Sequence, residues 1–221
     1  MKFFVVSDIH LGNAHCHRDA FLGFLAGLPQ DAELILNGDI IDRWHADGAD
    51  GHVEVLDQLR EESRRRTVIW IRGNHDETYV MEDPAEITFR TSYAVGKRLF
   101  IAHGHDFDNV MPHHRVFIKG FKAMHNLRIW LGADSVHVAL YAKKFPALYR
   151  VLKESVALNA TEHARENGYD AVTCGHTHLV DDREIMGVRY INTGSWTEDD
   201  FHYVEVDESC ICLKSFCNGT H

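Results

Sequence analysis

The sequence predicts an α/β fold, and three observations carry that prediction. Short apolar runs of strand length alternate with segments of helical periodicity through the first half of the chain. Most of those runs end abruptly in Asp, Asn or His. A long helical stretch then intervenes, and β-like periodicity resumes and continues to the end. Alternation of strand and helix patterns builds parallel strands joined by helical crossovers. At 221 residues the chain is expected to form a single domain, 1–221, with a helical cap insertion at about 112–165.

The elements follow in order. "KFFVVSD" is a strand buried on both faces, because its apolar residues are consecutive rather than alternating. Residues 17 to 27 read as a helix with Phe21, Leu22, Phe24, Leu25 and Leu28 on one side. "ELILNGD" is the second strand, residues 52 to 65 the second helix, "TVIWIRGNHD" the third strand and "RLFIAHGHD" the fourth. The insertion carries helix-spaced apolar residues: Phe117, Phe121, Met124, Leu127 and Leu131, then Val138, Tyr141, Phe145, Leu148 and Leu152. Residues 112–154 hold eight Lys and Arg against two acids, Asp134 and Glu154, so a basic insertion interrupts an acidic body. "AVTCGHTH" is the fifth strand, and "DREIM", "GVRYINTGS", "FHYVEVD" and "CICLKSF" complete the β-like tail.

Composition narrows the function. Hydrophobic residues at 45% and charged residues at 25% are those of a globular protein. A formal net charge of −10 argues against indiscriminate nucleic-acid binding, and no nucleic-acid partner is expected. No run reaches the roughly 18 apolar residues of a membrane span, and "FFVVSD" is too short for a signal-peptide core, so a cytoplasmic location is the expectation. Five cysteines, including Cys210, Cys212 and Cys217, are expected to be reduced and structural.

The chemistry is written at the strand ends. Asp8 and His10 close the first strand, Asp39 the second, Asn74 the third, His103 the fourth, and His176 with His178 the fifth. Residues two apart in extended chain point to the same side, so Asp8 and His10 can converge on one point. Loops at the carboxyl ends of strands are where sites gather in α/β sheets. Two carboxylates, one amide oxygen and four imidazoles suit Mn²⁺, Fe²⁺ or Zn²⁺ better than a thiolate-built structural zinc. Seven ligands exceed one ion and match two ions sharing a bridging carboxylate. Such a pair, about 3.5–4 Å apart, lowers the pKa of a bridging water and clamps an in-line phosphoryl displacement. With 17 histidines in the chain, most of the others, His15, His17, His52 and His125 among them, read as ordinary surface residues; His45 and His105 are candidates for contacts near the site.

Taken in order, "DIH", "GDIIDR", "GNHD", "HGH" and "GHTH" resemble the calcineurin-like metallophosphoesterase superfamily over nearly the whole chain. The resemblance implies a four-layer α/β/β/α sandwich of two mixed β-sheets. It implies one metal on Asp8, His10, Asp39 and His178, a second on Asp39, Asn74, His103 and His176, with Asp39 bridging and Mn²⁺ the expected ion. It further implies that His75 contacts or protonates the leaving group, that Asp42 orients His75, and that Arg43 and Asn74 contact the substrate phosphate. Within the superfamily the chain looks most like UDP-2,3-diacylglucosamine diphosphatases, on "HGHDFD", the cap of about fifty residues and the ending "GVRYINTGSW". That likeness implies hydrolysis of the pyrophosphate of a nucleotide-linked lipid in lipid A biosynthesis, with the basic cap making peripheral contact with the inner membrane. His75 and the pair Asp42–Arg43 depart from that subgroup and are closer to the superfamily's general phosphatase and phosphodiesterase pattern, so another nucleotide or lipid phosphoester stays open. A non-catalytic scaffold on the same fold is the reading of a different class.

Overall fold

Strands β1 (Lys2–Val6), β2 (Ala32–Asn37) and β3 (Val68–Ile71) lie side by side and parallel in a computed structural model of the chain, which describes residues 2–42, 50–109, 115–132 and 146–217. Val5 pairs with Ile35 and Ile35 with Ile69, so the buried runs stack in register across the sheet. β4 (Thr88–Arg90) extends this sheet in parallel at one edge. At the other, β10 (Phe201–Val206) and β11 (Ile211–Phe216) add two antiparallel strands. A second sheet has the order β5 (Ser92–Val95), β6 (Leu99–Ala102), β7 (Ala171–Cys174), β9 (Val188–Thr193) and β8 (Val180–Ile185). In it β6, β7 and β9 are parallel, and the two edge strands are antiparallel.

Three hydrophobic cores define four layers. Alternate residues of the central strands point to opposite faces. Phe4, Val6, Leu34, Leu36, Val68 and Trp70 face helices α1 (Arg18–Ala26) and α2 (Asp50–Ser63), meeting Phe21, Phe24, Leu25, Val55, Leu56 and Leu59. Phe3, Val5, Ile35, Ile69 and Ile71 face the other way and pack on Leu99, Ile101, Ala171 and Ile191 of the second sheet. The outer face of that sheet, with Phe100, Val172, Cys174 and Tyr190, is covered by Ala157, Ala160 and Ala164 of helix α4 (Pro146–Glu166). The architecture is therefore the expected α/β/β/α sandwich of two mixed sheets.

Three details differ from the sequence expectation. β4 and β5 were not expected: each is only three or four residues long and half-exposed, so neither shows a buried run. Helix α3 (Arg115–Trp130) forms where expected, yet Met124, Leu127, Trp130 and Leu131 are exposed rather than packed. Val138, Tyr141 and Phe145 lie outside the described residues, as do the side chains of Phe117, Phe121, Leu148 and Leu152. Finally, α4 does not serve the insertion alone, because its second half is the fourth layer of the sandwich.

Alanine at three stacked positions brings α4 close to the sheet, and Ala160 is completely buried there. Ala160→Leu should therefore overpack the interface and cost about 1–3 kcal/mol. A urea midpoint unchanged from wild type would show that α4 does not dock on this sheet.

Candidate metal centre

The loops that follow the parallel strands of both sheets meet at one end of the sandwich. The Asp8 amide donates to Gly38 O at 3.0 Å, the His10 amide to Asp39 O at 3.0 Å, and the Gly175 amide to His103 O at 2.9 Å. The His176 amide donates to the Asp8 carboxylate at 3.1 Å. Backbone bonds thus lace the loops in two pairs, and the Asp8 carboxylate joins one pair to the other.

Asp8 and His10 do converge, though not by the extended geometry expected. Asp8, His10, Asp39, His176 and His178 all have left-handed backbone, with φ of 54°, 54°, 52°, 66° and 54°. Non-glycine residues enter this region rarely and at a cost. Only two other non-glycine residues, Ala85 and Met186, do so among the described residues. Alternating left-handed residues curl each loop tightly, which aims both members of a D-x-H or H-x-H pair inward. Gly175, which precedes the H-x-H pair, does not itself adopt left-handed backbone. Instead its bare Cα leaves room for the neighbouring loop: a Cβ there would collide with the Asp8 carboxylate and the Ser7 side chain. Gly73 makes the same allowance for Asp39.

The side chains fall into overlapping groups with metal-ligand spacing: Asp8 with His10 and His178, His10 with Asp39 and His75, and Asp39 with His103 and His176. His10 Nε2 and His178 Nε2 lie 3.1 Å apart, and His178 Nε2 is 3.2 Å from Asp8 Oδ1. His103 Nε2 is 3.3 Å from Asp39 Oδ2, while its Nδ1–H donates to Asn37 O at 2.9 Å. That bond fixes the tautomer and leaves Nε2 buried without a hydrogen-bond partner. A buried imidazole nitrogen beside a carboxylate, its other nitrogen already used, is the donor a divalent cation satisfies once its proton has left. The Asp and His set fits Mn²⁺, Fe²⁺ or Zn²⁺, and Asp39 is shared between groups.

His75 is one-third exposed; its amide donates to Asp39 Oδ1 at 2.8 Å and its Nδ1 lies 2.5 Å from Asp42 Oδ1. Asp42 also stands 3.5 Å from His10 Nδ1 and accepts from Asn13 Nδ2 at 2.8 Å. Asn74 sits between Gly73 and His75 with its side chain exposed, and Arg43 lies outside the described residues. His105 stacks near the group, its ring 5.4 Å from that of His103. Three participants escaped the sequence reading. Asp76 is buried and accepts from the Ile40 and Gly73 amides and from Trp70 Nε1, locking the Asp39 loop to the Asn74 loop. Tyr149 of α4 donates its hydroxyl to Thr177 O, between the two histidines. Asp108 accepts from His176 Nε2 at 2.9 Å. The last of the "GNHD" and "HGHDFD" acids was the only available signal for Asp76 and Asp108.

Electrostatics tie the group together. Burial pushes the Asp8 carboxyl up, but His178, His10 and His103 outweigh it and hold it well below the usual range. Asp39 behaves likewise, burial opposing and His103 prevailing. Burial also works against a charged His10, yet Asp42, Asp8 and Asp39 raise it to about 9; for His103, burial loses to Asp39 and the pKa rises to about 10. His178 is lowered by burial. Without metal, protons supply the cationic charge the carboxylates demand.

The pH consequence has a definite sign. A folded-state pKa raised above the ordinary 6.5 contributes stability below about pH 6.5 and loses it as pH climbs through the folded value. His178, shifted the other way, acts only below that window. Metal-free protein should therefore lose thermal stability steadily from about pH 6.5 to 10, and divalent metal should abolish the loss by replacing those protons. Melting curves in chelator and in Mn²⁺ across this range test it; parallel curves would contradict the coupling.

Comparison with known proteins bears on the family and the fold. The model of the calcineurin-like phosphoesterase superfamily domain matches residues 1–212. No curated protein matches the chain. Among solved structures, a single mutant and a double mutant of Vps29 from Entamoeba histolytica each align over 100% of this chain and 95% of their own. Their identities are 17% and 19%, with TM-scores of 0.51 and 0.50. Yfce, a phosphoesterase from E. coli, is 18% identical over 98% of this chain and 100% of its own, with a TM-score of 0.46. The Vps29 likeness shows the fold alone. The family model, by contrast, runs from the first strand into the last, and on that span the chain belongs to the calcineurin-like phosphoesterase superfamily.

Proposed function

We propose that the protein is a dinuclear-metal phosphoesterase that hydrolyses a phosphoester or pyrophosphate bond. The observation that carries this reading is the placement of Asp39 between two groups of imidazoles, with the His75–Asp42 pair at the rim. Asp8, His10, Asp39 and His178 would hold one ion, and Asp39, Asn74, His103 and His176 the other, with Mn²⁺ the expected metal. When bound, the two ions supply a water of lowered pKa and neutralise charge on the phosphoryl oxygens. The chain's own residues do the rest. Asp42 holds the Nδ1 side of His75, which leaves Nε2 to keep and deliver a proton to the departing oxygen. Asn74 and Arg43 are assigned to the substrate phosphate.

For the substrate, we propose the pyrophosphate of UDP-2,3-diacylglucosamine or a similar nucleotide-linked lipid. Support comes from α3, α4 and the residue that follows α3, which expose Met124, Leu127, Trp130, Leu131, Val151 and Leu158 along or beside a basic segment. Apolar side chains suit acyl chains, and Lys and Arg suit phosphates and anionic headgroups. On this reading the enzyme works in the cytoplasm with peripheral contact to the inner membrane and no nucleic-acid partner. No helix among the described residues is long and apolar enough to cross a membrane. The second reading, a general phosphodiesterase on another nucleotide or lipid phosphoester, is favoured by the His75–Asp42 contact itself. A scaffold without activity would not need the site's full set of donors.

His10→Ala or Asp39→Ala should abolish Mn²⁺-dependent hydrolysis of bis(p-nitrophenyl) phosphate with the fold intact; retained activity would refute the site. His75→Asn should lower kcat about 10²–10⁴-fold, the usual worth of a positioned proton donor, while metal content stays at the wild-type value. Release of UMP from the UDP-diacylglucosamine lipid, beside a panel of nucleotide phosphoesters, decides the substrate. Turnover of another compound and none of the lipid would overturn the lipid reading.

A further inference from the structure

Acceptor groups stand behind three of the centre's imidazoles, and they are not equivalent. His103 uses Nδ1 and a neutral backbone carbonyl, that of Asn37. On the Asp8 side a carboxylate, Asp42, stands behind His10 Nδ1. On the other side His176 reverses the ring: its Nε2 meets the Asp108 carboxylate at 2.9 Å, and both groups are largely buried. Since a carboxylate can only accept, Nε2 carries the proton and Nδ1 is the nitrogen left for an ion.

Asp108 is held by more than its own bond. It closes a 3-10 turn, His105–Phe107, in which the Phe107 amide donates to Gly104 O and the Asp108 amide to His105 O. Asn159 of α4 donates to Phe107 O at 2.8 Å, so the turn is anchored to the helix that forms the fourth layer. At Gly104, φ is 109° and an added Cβ would press on Cys174 and Val156. The turn is thus clamped between β7, whose next residues carry His176, and α4.

We propose that Asp108 is a positioning residue for the second metal, the one shared by Asp39, His103 and His176: it sets the His176 tautomer, aims Nδ1 inward and makes the imidazole a stronger donor. The inference rests on the two-metal reading above. A carboxylate behind a ligating histidine is worth about 10–100-fold in metal affinity, and the effect here is confined to one of two ions.

The test titrates chelator-stripped full-length protein with Mn²⁺ by calorimetry, for wild type, Asp108→Ala and Asp108→Asn. Wild type should take up two ions. Asp108→Ala should weaken one of them about 10–100-fold and leave the other at its wild-type affinity. Asp108→Asn, which keeps the size and an acceptor oxygen but not the charge, should weaken the same ion less. A folded Asp108→Ala protein that binds both ions as wild type does, or weakens both alike, overturns the proposal. Should Asp108→Ala fail to fold, wild-type binding by Asp108→Asn overturns it equally. Uptake of fewer than two ions by wild type would instead remove the two-metal reading and this assignment with it.

Discussion

Two carboxylates, Asp8 and Asp39, are buried within one cluster where each raises the cost of charging the other. Two bare carboxylates cannot remain ionised in such a place without positive charge beside them. The imidazoles of His10, His103 and His178 surround them, and those can either hold protons or offer lone pairs to metal ions. The same buried negative charge therefore stabilises the metal-free fold through protonated histidines and supplies the affinity that draws cations in. Much else in the structure is arranged to let those carboxylates approach one another.

The arrangement is costly in backbone terms. Five candidate ligands occupy left-handed conformations, each unfavourable by about 1–3 kcal/mol. The loops tolerate this because they bond to each other across the two sheets and because Asp76 ties two of them to Trp70 in the first core. Gly73 and Gly175 remove the side chains that would have kept the loops apart. Rigid sheets on one side and α4 on the other keep the curled loops in place. Through Tyr149 on Thr177 and Asn159 on Phe107, α4 reaches the site directly. A helix that begins in the basic insertion thus also braces the ligand-bearing loops.

How much of this could be read in the sequence depended on whether burial left a mark there. The central strands could be read because consecutive apolar residues such as Leu34, Ile35 and Leu36 mean burial on both faces, and the polar residues that follow them mark where the strand leaves the core. β4 and β5 left no such mark, being short and half-exposed. The candidate ligands stood out because Asp and His are rare immediately after a buried strand. Their left-handed backbone did not, since Asp and His adopt that region without any accompanying glycine to signal it. Asp108 and Tyr149 were hidden for a different reason: each joins the site from a segment whose own periodicity says nothing about where its side chain ends.

Diffraction from crystals grown with Mn²⁺, with data collected at the manganese edge, tests the central claim most directly. The account predicts two anomalous peaks per chain, one among Asp8, His10 and His178, the other beside His103 and His176, with the Asp39 carboxylate touching both. A single peak, no peak, or two peaks that leave Asp39 outside the coordination of either would contradict it.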